Sequence, residues 1–378
     1  MKFLHIADIH LGFEQYGERE RFNDFSRTFL WLMDFAVAEK VDFVLLAGDL
    51  FHKRAVDPLA MQVAIHGLSK LSCPVFAIEG NHEKAYFIDQ DSWVDFLGST
   101  GRVHLLDHNT VNIPGARVCG IKYAGARTDA EAAAMANELG ESDDFTIMLV
   151  HAGLEGQLSH AGGIAEATVE AMDNVNYVAL GHIHKPYISG KAYNPGSPET
   201  VSADEALWPD RGALLVSHFK GLYNPTIDAQ VIVPPRRHFH RFDIGMNGSG
   251  DPQRMFLAIE YIRSLNVKPG SVIDVIVSGE VQFSRSDLDI KGAKESLESL
   301  SPLVVHVRNE TAPVGFSLSM DGSRTNVDAE REVLLRVIQR DARYRDEASV
   351  WVDKAITVKS LAITSTPEAV MDYIERLP

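Results

Sequence analysis

The sequence predicts an α/β protein of layered strands and helices, on three observations. From residue 1 to about 235, short apolar runs rich in Val, Ile, Leu and Phe alternate with stretches of helical periodicity. One after another, the early runs end in a carboxylate, an amide or an imidazole. The length of 378 residues, at 45% hydrophobic content, allows two or three domains with a well-buried core.

The elements follow in order. Strands are expected over 3–6, 41–47, 75–79, 117–123, 145–150 and 177–180. Between the first two, Phe22, Phe25, Phe29, Leu32, Met33 and Ala36 recur at helical spacing, and between the second and third Leu59, Val63, His66 and Leu68 do so more weakly. Residues 129–144 carry six acids and no base, the pattern of a solvated helix face and its following turn. The stretch "IVPPRRHFHR", 232–241, marks a boundary, because the Pro pair ends a strand and stiffens the chain before a basic segment.

A first domain is therefore expected over 1–235 and a smaller α+β cap domain over 236–325, leaving a tail over 326–378. In the cap, strands are expected over 238–244, in "SVIDVIVSG" and in "LVVHVRN", with a helix over 252–265. A helix over 328–340 opens the tail. The segment "VWVDKAITVKSLAI" leaves helix and strand both open. At the end, Thr366 suits an N-cap and Pro367 the first helical position, while Val370, Met371, Ile374 and Leu377 form an apolar stripe.

Bulk properties narrow the function. Cys73 and Cys119 are too few for a disulfide framework or a thiolate metal site, which favours two apolar core residues in a reducing compartment. The start, MKFLHIADIH, lacks a signal-peptide pattern, and no apolar run reaches the roughly 20 residues of a membrane helix, so a cytoplasmic protein with no membrane partner is expected. A net charge of -16 argues against a broadly basic nucleic-acid-binding surface.

The strand ends carry the chemistry. They read Asp8-Ile9-His10, Gly48-Asp49-Leu50-Phe51-His52, Gly80-Asn81-His82-Glu83, His151-Ala152-Gly153 and Gly181-His182-Ile183-His184. In open α/β sheets ligands bind outside the carboxyl ends of strands, so five such ends can converge on one point. The spacing of Asp8 with His10, and of His182 with His184, puts both side chains of each pair on one side of an extended chain.

Asp8, His10, Asp49, Asn81, His151, His182 and His184 are too many ligands for one metal and suit two, with Asp49 as the natural bridge. Mixed imidazole and carboxylate donors favour Mn, Fe, Zn or Ni over Mg or Ca. Two divalent ions about 3.5 to 4 Å apart can activate a water and clamp both ends of an in-line displacement at phosphorus, which points to phosphoester hydrolysis.

The ordered set D-x-H, G-D, G-N-H and G-H-x-H resembles the calcineurin-like metallophosphoesterases. "IADIHLGF", "GDLFHKR", "GNHE" and "LGHIHKP" followed by "YNPGSPE" narrow the resemblance to the SbcD-type double-strand-break repair nucleases. The resemblance implies a helix-flanked β-sandwich with a cap domain and a helical tail, and a nuclease with exonuclease and endonuclease activity at DNA ends. It also implies two Mn2+ ions, one held by Asp8, His10, Asp49 and His184, the other by Asp49, Asn81, His151 and His182. His82 would serve the leaving group or transition state, and His52 would assist near the phosphate. Where the family most often has Asp, this chain has Glu83.

Expected partners are DNA, an SbcC-type coiled-coil ATPase bound through the tail, and a second copy of the chain. Local cations could meet phosphates despite the acidic total. Lys53, Arg54, Lys84 and Lys185 lie beside the metal loops, and Arg236, Arg237 and Arg241 cluster at the boundary around Phe239. A phosphoesterase for a small nucleotide or lipid diester would share every metal ligand but need a closed pocket. His5, His66, His104, His108, His160, His218 and His306 are read as structural or solvated, and Asn194-Pro195-Gly196-Ser197 as a turn or a groove wall.

Overall fold

The computed structural model describes residues 1–87, 90–157, 163–219, 226–313, 347–364 and 367–375, with 331, 334, 335, 337–339 and 344. His160, Thr366, Leu377 and most of the helix expected over 328–340 lie outside the described residues.

Six strands, β1 (Lys2–Ile6), β2 (Phe43–Ala47), β3 (Val75–Ile78), β4 (His104–Leu105), β11 (Ala213–Phe219) and β12 (Thr226–Ile232), form one sheet of order β12-β11-β1-β2-β3-β4. A second sheet of order β5-β6-β7-β8-β10-β9 uses β5 (Asn109–Ile113), β6 (Ala116–Ile121), β7 (Phe145–Val150), β8 (Tyr177–Leu180), β9 (Tyr187–Ser189) and β10 (Ala192–Asn194). Within each, four neighbouring strands are parallel: β1, β2, β3 and β4 in the first, and β6, β7, β8 and β10 in the second. Parallel strands point their carboxyl ends the same way, which is what gathers the polar strand ends seen in the sequence.

The two sheets bury one face against each other through Phe3, Phe43, Leu45, Phe76 and Ile78 from the first and Val118, Ile147, Leu149, Tyr177 and Ala179 from the second. Both faces of each sheet are therefore covered, which explains strand sequences that are apolar throughout rather than alternating. The outer face of the first packs against α1 (Arg19–Glu39) and α2 (Pro58–Leu68), and that of the second against α4 (Thr128–Glu138) and α5 (Glu166–Glu170). The short helix α3 (Trp93–Ser99) precedes β4 and is closed by a capping box between Ser92 and Asp95.

In α1, the expected residues Phe22, Phe25, Phe29, Leu32, Met33 and Ala36 are all buried. The face of α2 differs from expectation by one position: Ala60, Met61, Ala64 and Leu68 are buried, while Leu59 is exposed. Small residues let this helix lie close to α1, so of the four expected residues Leu68 is in the core and Val63 packs against it, while Leu59 and His66 are exposed. Gly67 shows how close, since a Cβ there would meet the Phe29 ring at 2.4 Å.

Further along are β13 (Phe239–Gly245), α6 (Arg254–Ser264), β14 (Val272–Val281), α7 (Ile290–Glu298) and β15 (Val304–Pro313), the strands forming a sheet of order β13-β14-β15. The open "VWVDKAITVKSLAI" segment is helical, within Ala348–Thr364, and a second helix spans Pro367–Glu375. By contact the chain divides into one unit of Met1–Phe242, Tyr261–Ile276 and Lys291–Arg308 and another of Asp243–Glu260, Val277–Ile290 and Asn309–Pro378. Among the described residues, no helix is long and apolar enough to cross a membrane.

Candidate metal centre

The loops after β1 and β2 are tied together where the strands end. Asp8 N–H donates to Gly48 O at 3.1 Å, His10 N–H to Asp49 O at 3.0 Å and Leu11 N–H to Leu50 O at 2.8 Å. Asp8 (φ 54°), His10 (φ 54°), Asp49 (φ 52°) and His182 (φ 78°) all sit in left-handed backbone. This changes the expected reason for their convergence: a left-handed turn, not an extended chain, brings Asp8 and His10 together. Four such residues in one site, at about 1–3 kcal/mol each, mark a built centre held by its surroundings.

Two glycines make the close approach possible. A Cβ on Gly80 would lie 2.1 Å from Asp49 Oδ1, and one on Gly48 would lie 2.3 Å from His151 Nδ1. No side chain can be accommodated at either place.

All seven expected ligands come together. Donor atoms of Asp8, His10 and His184 lie within 4.8 Å of one another, as do those of Asp8, Asp49 and His151. Asn81 Oδ1 is 3.1 Å from His151 Nε2 and 2.9 Å from His182 Nδ1, and His151 Nε2 is 3.3 Å from Asp49 Oδ2. The third group of three is His10, His52 and His82.

Outer contacts orient these rings. His151 Nδ1–H donates to Ala47 O at 2.7 Å, which turns Nε2 toward Asp49. His184 Nδ1–H donates to Glu205 Oε1 at 2.7 Å, so its Nε2 faces inward, 3.2 Å from His10 Nε2. Two imidazole nitrogens facing at that distance need a proton or a cation between them. The two carboxylates point the same way, because Asp8 and Asp49 are buried among imidazoles and, among the described residues, neither pairs with a Lys or Arg. The donor set fits divalent metal.

Without metal, protons take part of that role. Burial raises the Asp8 carboxyl to about 6, against the pull of His184 and His151. Burial disfavours charge on both Asp49 and His151, but their mutual attraction wins, holding Asp49 well below the carboxylate range and raising His151 to about 9. Burial, with His151 adding to it, lowers His182 to about 4. It likewise lowers His52 to about 4, with help from His82 and Lys53.

The two expected catalytic histidines are at the rim. His82 Nδ1–H donates to His52 O at 2.7 Å, and its Nε2 stands 4.0 Å from Asp49 Oδ2 with the side chain 37% exposed. The His52 ring stacks on Phe13 at 3.7 Å. Glu83 is buried, and its two oxygens accept N–H groups from different loops, Phe51 at 2.8 Å and Gly80 at 2.9 Å. It therefore clamps the Asp49 loop to the Asn81 loop.

The cations divide into two groups. Lys53, Arg54, Lys84 and Lys185 are exposed beside the loops. Arg236 and Arg237 are engaged within the chain: Arg236 donates to Pro198 O, Arg211 O and Pro209 O, and Arg237 to Asp24, Glu20 and Gly270 O. Arg241 pairs with Asp204. The Asn194–Ser197 segment braces the last ligand turn, since Asn194 Nδ2 donates to Ile183 O at 2.6 Å and Lys185 O at 2.8 Å.

The sequence reading missed Glu205. Besides His184 it accepts from Ser197, Val201 and Ser202, so five donors fix one buried carboxylate. The pattern Ser202-x-x-Glu205 signals only a helix cap, and nothing local connects it to His184.

This sheet pair and cluster of side chains are those of a metallophosphoesterase fold, and residues 1–186 match the calcineurin-like phosphoesterase family. More particularly, it is similar to curated proteins named DNA double-strand break repair protein Mre11. That of Archaeoglobus fulgidus is 33% identical over 232 residues, covering 54% of this chain and 52% of the relative. For Saccharolobus solfataricus the figures are 27% over 301 residues, 74% and 76%, and for Sulfolobus acidocaldarius 22% over 370 residues, 95% and 84%. The match thus spans about half the length of the first of these relatives.

Proposed function

We propose that the chain is a two-metal DNA nuclease that hydrolyses phosphodiester bonds at DNA ends during double-strand-break repair, together with an SbcC-type ATPase. The observation that carries this reading is the convergence of Asp8, His10, Asp49, Asn81, His151, His182 and His184. The opening beside them supports a polymeric substrate: the groove lined by His52, Arg54, Asn81 and His82 is open, not a closed pocket. The relatives' name, a DNA double-strand break repair protein, agrees with it.

In this reading Asp8, His10, Asp49 and His184 hold one divalent ion and Asp49, Asn81, His151 and His182 the other, Mn2+ in both. Bound there, the metals would supply Lewis-acid charge to the phosphodiester and the attacking water. The chain's own residues do the rest. Because His82 Nδ1–H is committed to His52 O, its Nε2 faces the reacting phosphate and can deliver a proton to the departing oxygen. His52, kept neutral by burial and its cationic neighbours, offers its ring to orient the phosphate. Lys53, Arg54, Lys84 and Lys185, all exposed, would meet flanking phosphates. With a net charge of -16, affinity for DNA should be modest without a partner. The tail helices are assigned to the ATPase, a second copy of the chain to a homodimer, and the protein to the cytoplasm or nucleoid.

The deciding experiment is cleavage of single-stranded, blunt and hairpin DNA with Mn2+, Mg2+ or Zn2+ added, beside a small chromogenic diester. Mn2+-dependent DNA cleavage with poor turnover of the diester is expected. Metal-loaded protein that turns over a mononucleotide diester rapidly and leaves every DNA intact would replace this reading with the small-substrate phosphoesterase.

A further inference from the structure

We infer that Tyr86 is a stacking platform for an unpaired base next to the scissile phosphate, so that the groove selects a strand whose bases are free. This deepens the nuclease reading and rests on it. Tyr86 is 63% exposed, and its ring lines the same open groove, of about 370 Å³, as Asn81 and His82. The Arg54 guanidinium lies 5.5 Å from the ring centroid, and Lys53 lines the groove as well.

A single exposed Tyr on a protein surface needs no explanation, and a cation over one face is a common surface arrangement. Position separates this one from that plain reading. One groove gathers Asn81 and His82 of the metal-site loop, the two cations Lys53 and Arg54, and the aromatic ring of Tyr86, with Arg54 against that ring. A nucleotide chain offers the matching series: the phosphate under attack, the next phosphate, and a base with an apolar face. Bases in a duplex have both faces buried in the stack, so only an unpaired base can use the ring. Phe87 is exposed to a similar degree, 65%, yet is not part of the groove lining, which makes it the internal control.

The test uses the full chain with Mn2+ and an end-labelled single-stranded oligonucleotide in which one abasic residue is walked along the sequence. Tyr86→Ala should raise KM for the intact strand by about 5- to 100-fold, with kcat changed less than about twofold and metal content unaltered. Tyr86→Phe should restore the wild-type KM, and Phe87→Ala should have no effect. An abasic residue beside the cut should weaken wild type to the level of Tyr86→Ala and leave that variant unmoved. If wild type cuts DNA but the two proteins share one KM, or lose equally on the abasic strand, the stacking assignment fails while the nuclease reading stands. If wild type cuts no DNA with any metal, both fail.

Discussion

His184 and Glu205 are joined by a 2.7 Å hydrogen bond in which the imidazole Nδ1–H donates to the carboxylate. That bond selects the tautomer whose Nε2 faces Asp8 and His10. Because Glu205 Oε2 accepts the Val201 N–H and Oε1 those of Ser202 and His184, a carboxamide cannot replace it in either orientation without turning an NH2 against an N–H group. Glu205→Gln should therefore weaken metal binding about 10- to 100-fold, read by competition with a chelating dye. Unchanged affinity would show that the bond does not orient the ligand.

Asn81 and His82 are neighbours with different assigned roles. Asp49→Ala should lose metal, since Asp49 sits at 3.3 Å from His151 and shares a cluster of donor atoms with Asp8 and His151. His82→Ala should keep metal and lose about 10²- to 10⁴-fold in kcat, the range of a proton-transfer group. Elemental analysis of both variants decides it; equal metal loss would remove the distinction.

Gly80 should tolerate no side chain. The Cβ of Gly80→Ala would lie 2.1 Å from Asp49 Oδ1 and 2.4 Å from its backbone N, so neither the carboxylate nor the loop can simply swing aside. A stability loss of about 1–3 kcal/mol with loss of metal is expected, against no measurable change for Gly140→Ala, whose Cβ would meet nothing within 4 Å. Thermal melting with and without Mn2+ measures both.

How much of this was legible in the sequence depends on the range of the cause. The convergence of the seven polar residues was readable because each follows an apolar strand, and α1 because the six apolar residues that recur at helical spacing are all buried. The faces of α2 were not, because tight packing against α1 favours Ala60 and Ala64 over larger neighbours. Glu205 was hidden because its link to His184 is made only by folding. The same holds for Arg236, whose carbonyl partners Pro198 and Pro209 come from loops 38 and 27 residues away.

Acid should destabilise the protein partly through His5. The ring is fully buried, with Nδ1 2.9 Å from Tyr177 Oη and Nε2 3.0 Å from Leu180 O, and burial lowers it to about 3. The unfolded chain, with the ordinary value of 6.5, binds the proton first, so His5 contributes stability above 6.5 that is lost as pH falls toward 3. Between pH 7 and pH 5 this amounts to about 2 kcal/mol. Urea denaturation at the two pH values should show a slope shallower by about that amount in His5→Gln; parallel slopes would mean that the folded protein accommodates the charge.

The tail gives the last prediction. Val352 is fully buried, so the helix Ala348–Thr364 contributes to the packed protein and cutting the chain near 349 would damage the fold. The helix Pro367–Glu375 is different: Met371 is 55% and Ile374 41% exposed, an apolar pair left in water on a helix too short to persist alone. An amphipathic helix of this kind suits a groove or helix pair on a partner, which under the proposed function is the SbcC-type ATPase. Replacing both residues by Glu should leave Mn2+-dependent cleavage by the isolated chain and its melting temperature unchanged, because neither side chain is core. Co-purification with the ATPase should fall at least about tenfold. A doubly substituted chain that captures the ATPase at full strength would place the binding surface elsewhere, and one that melts early would return this helix to the fold.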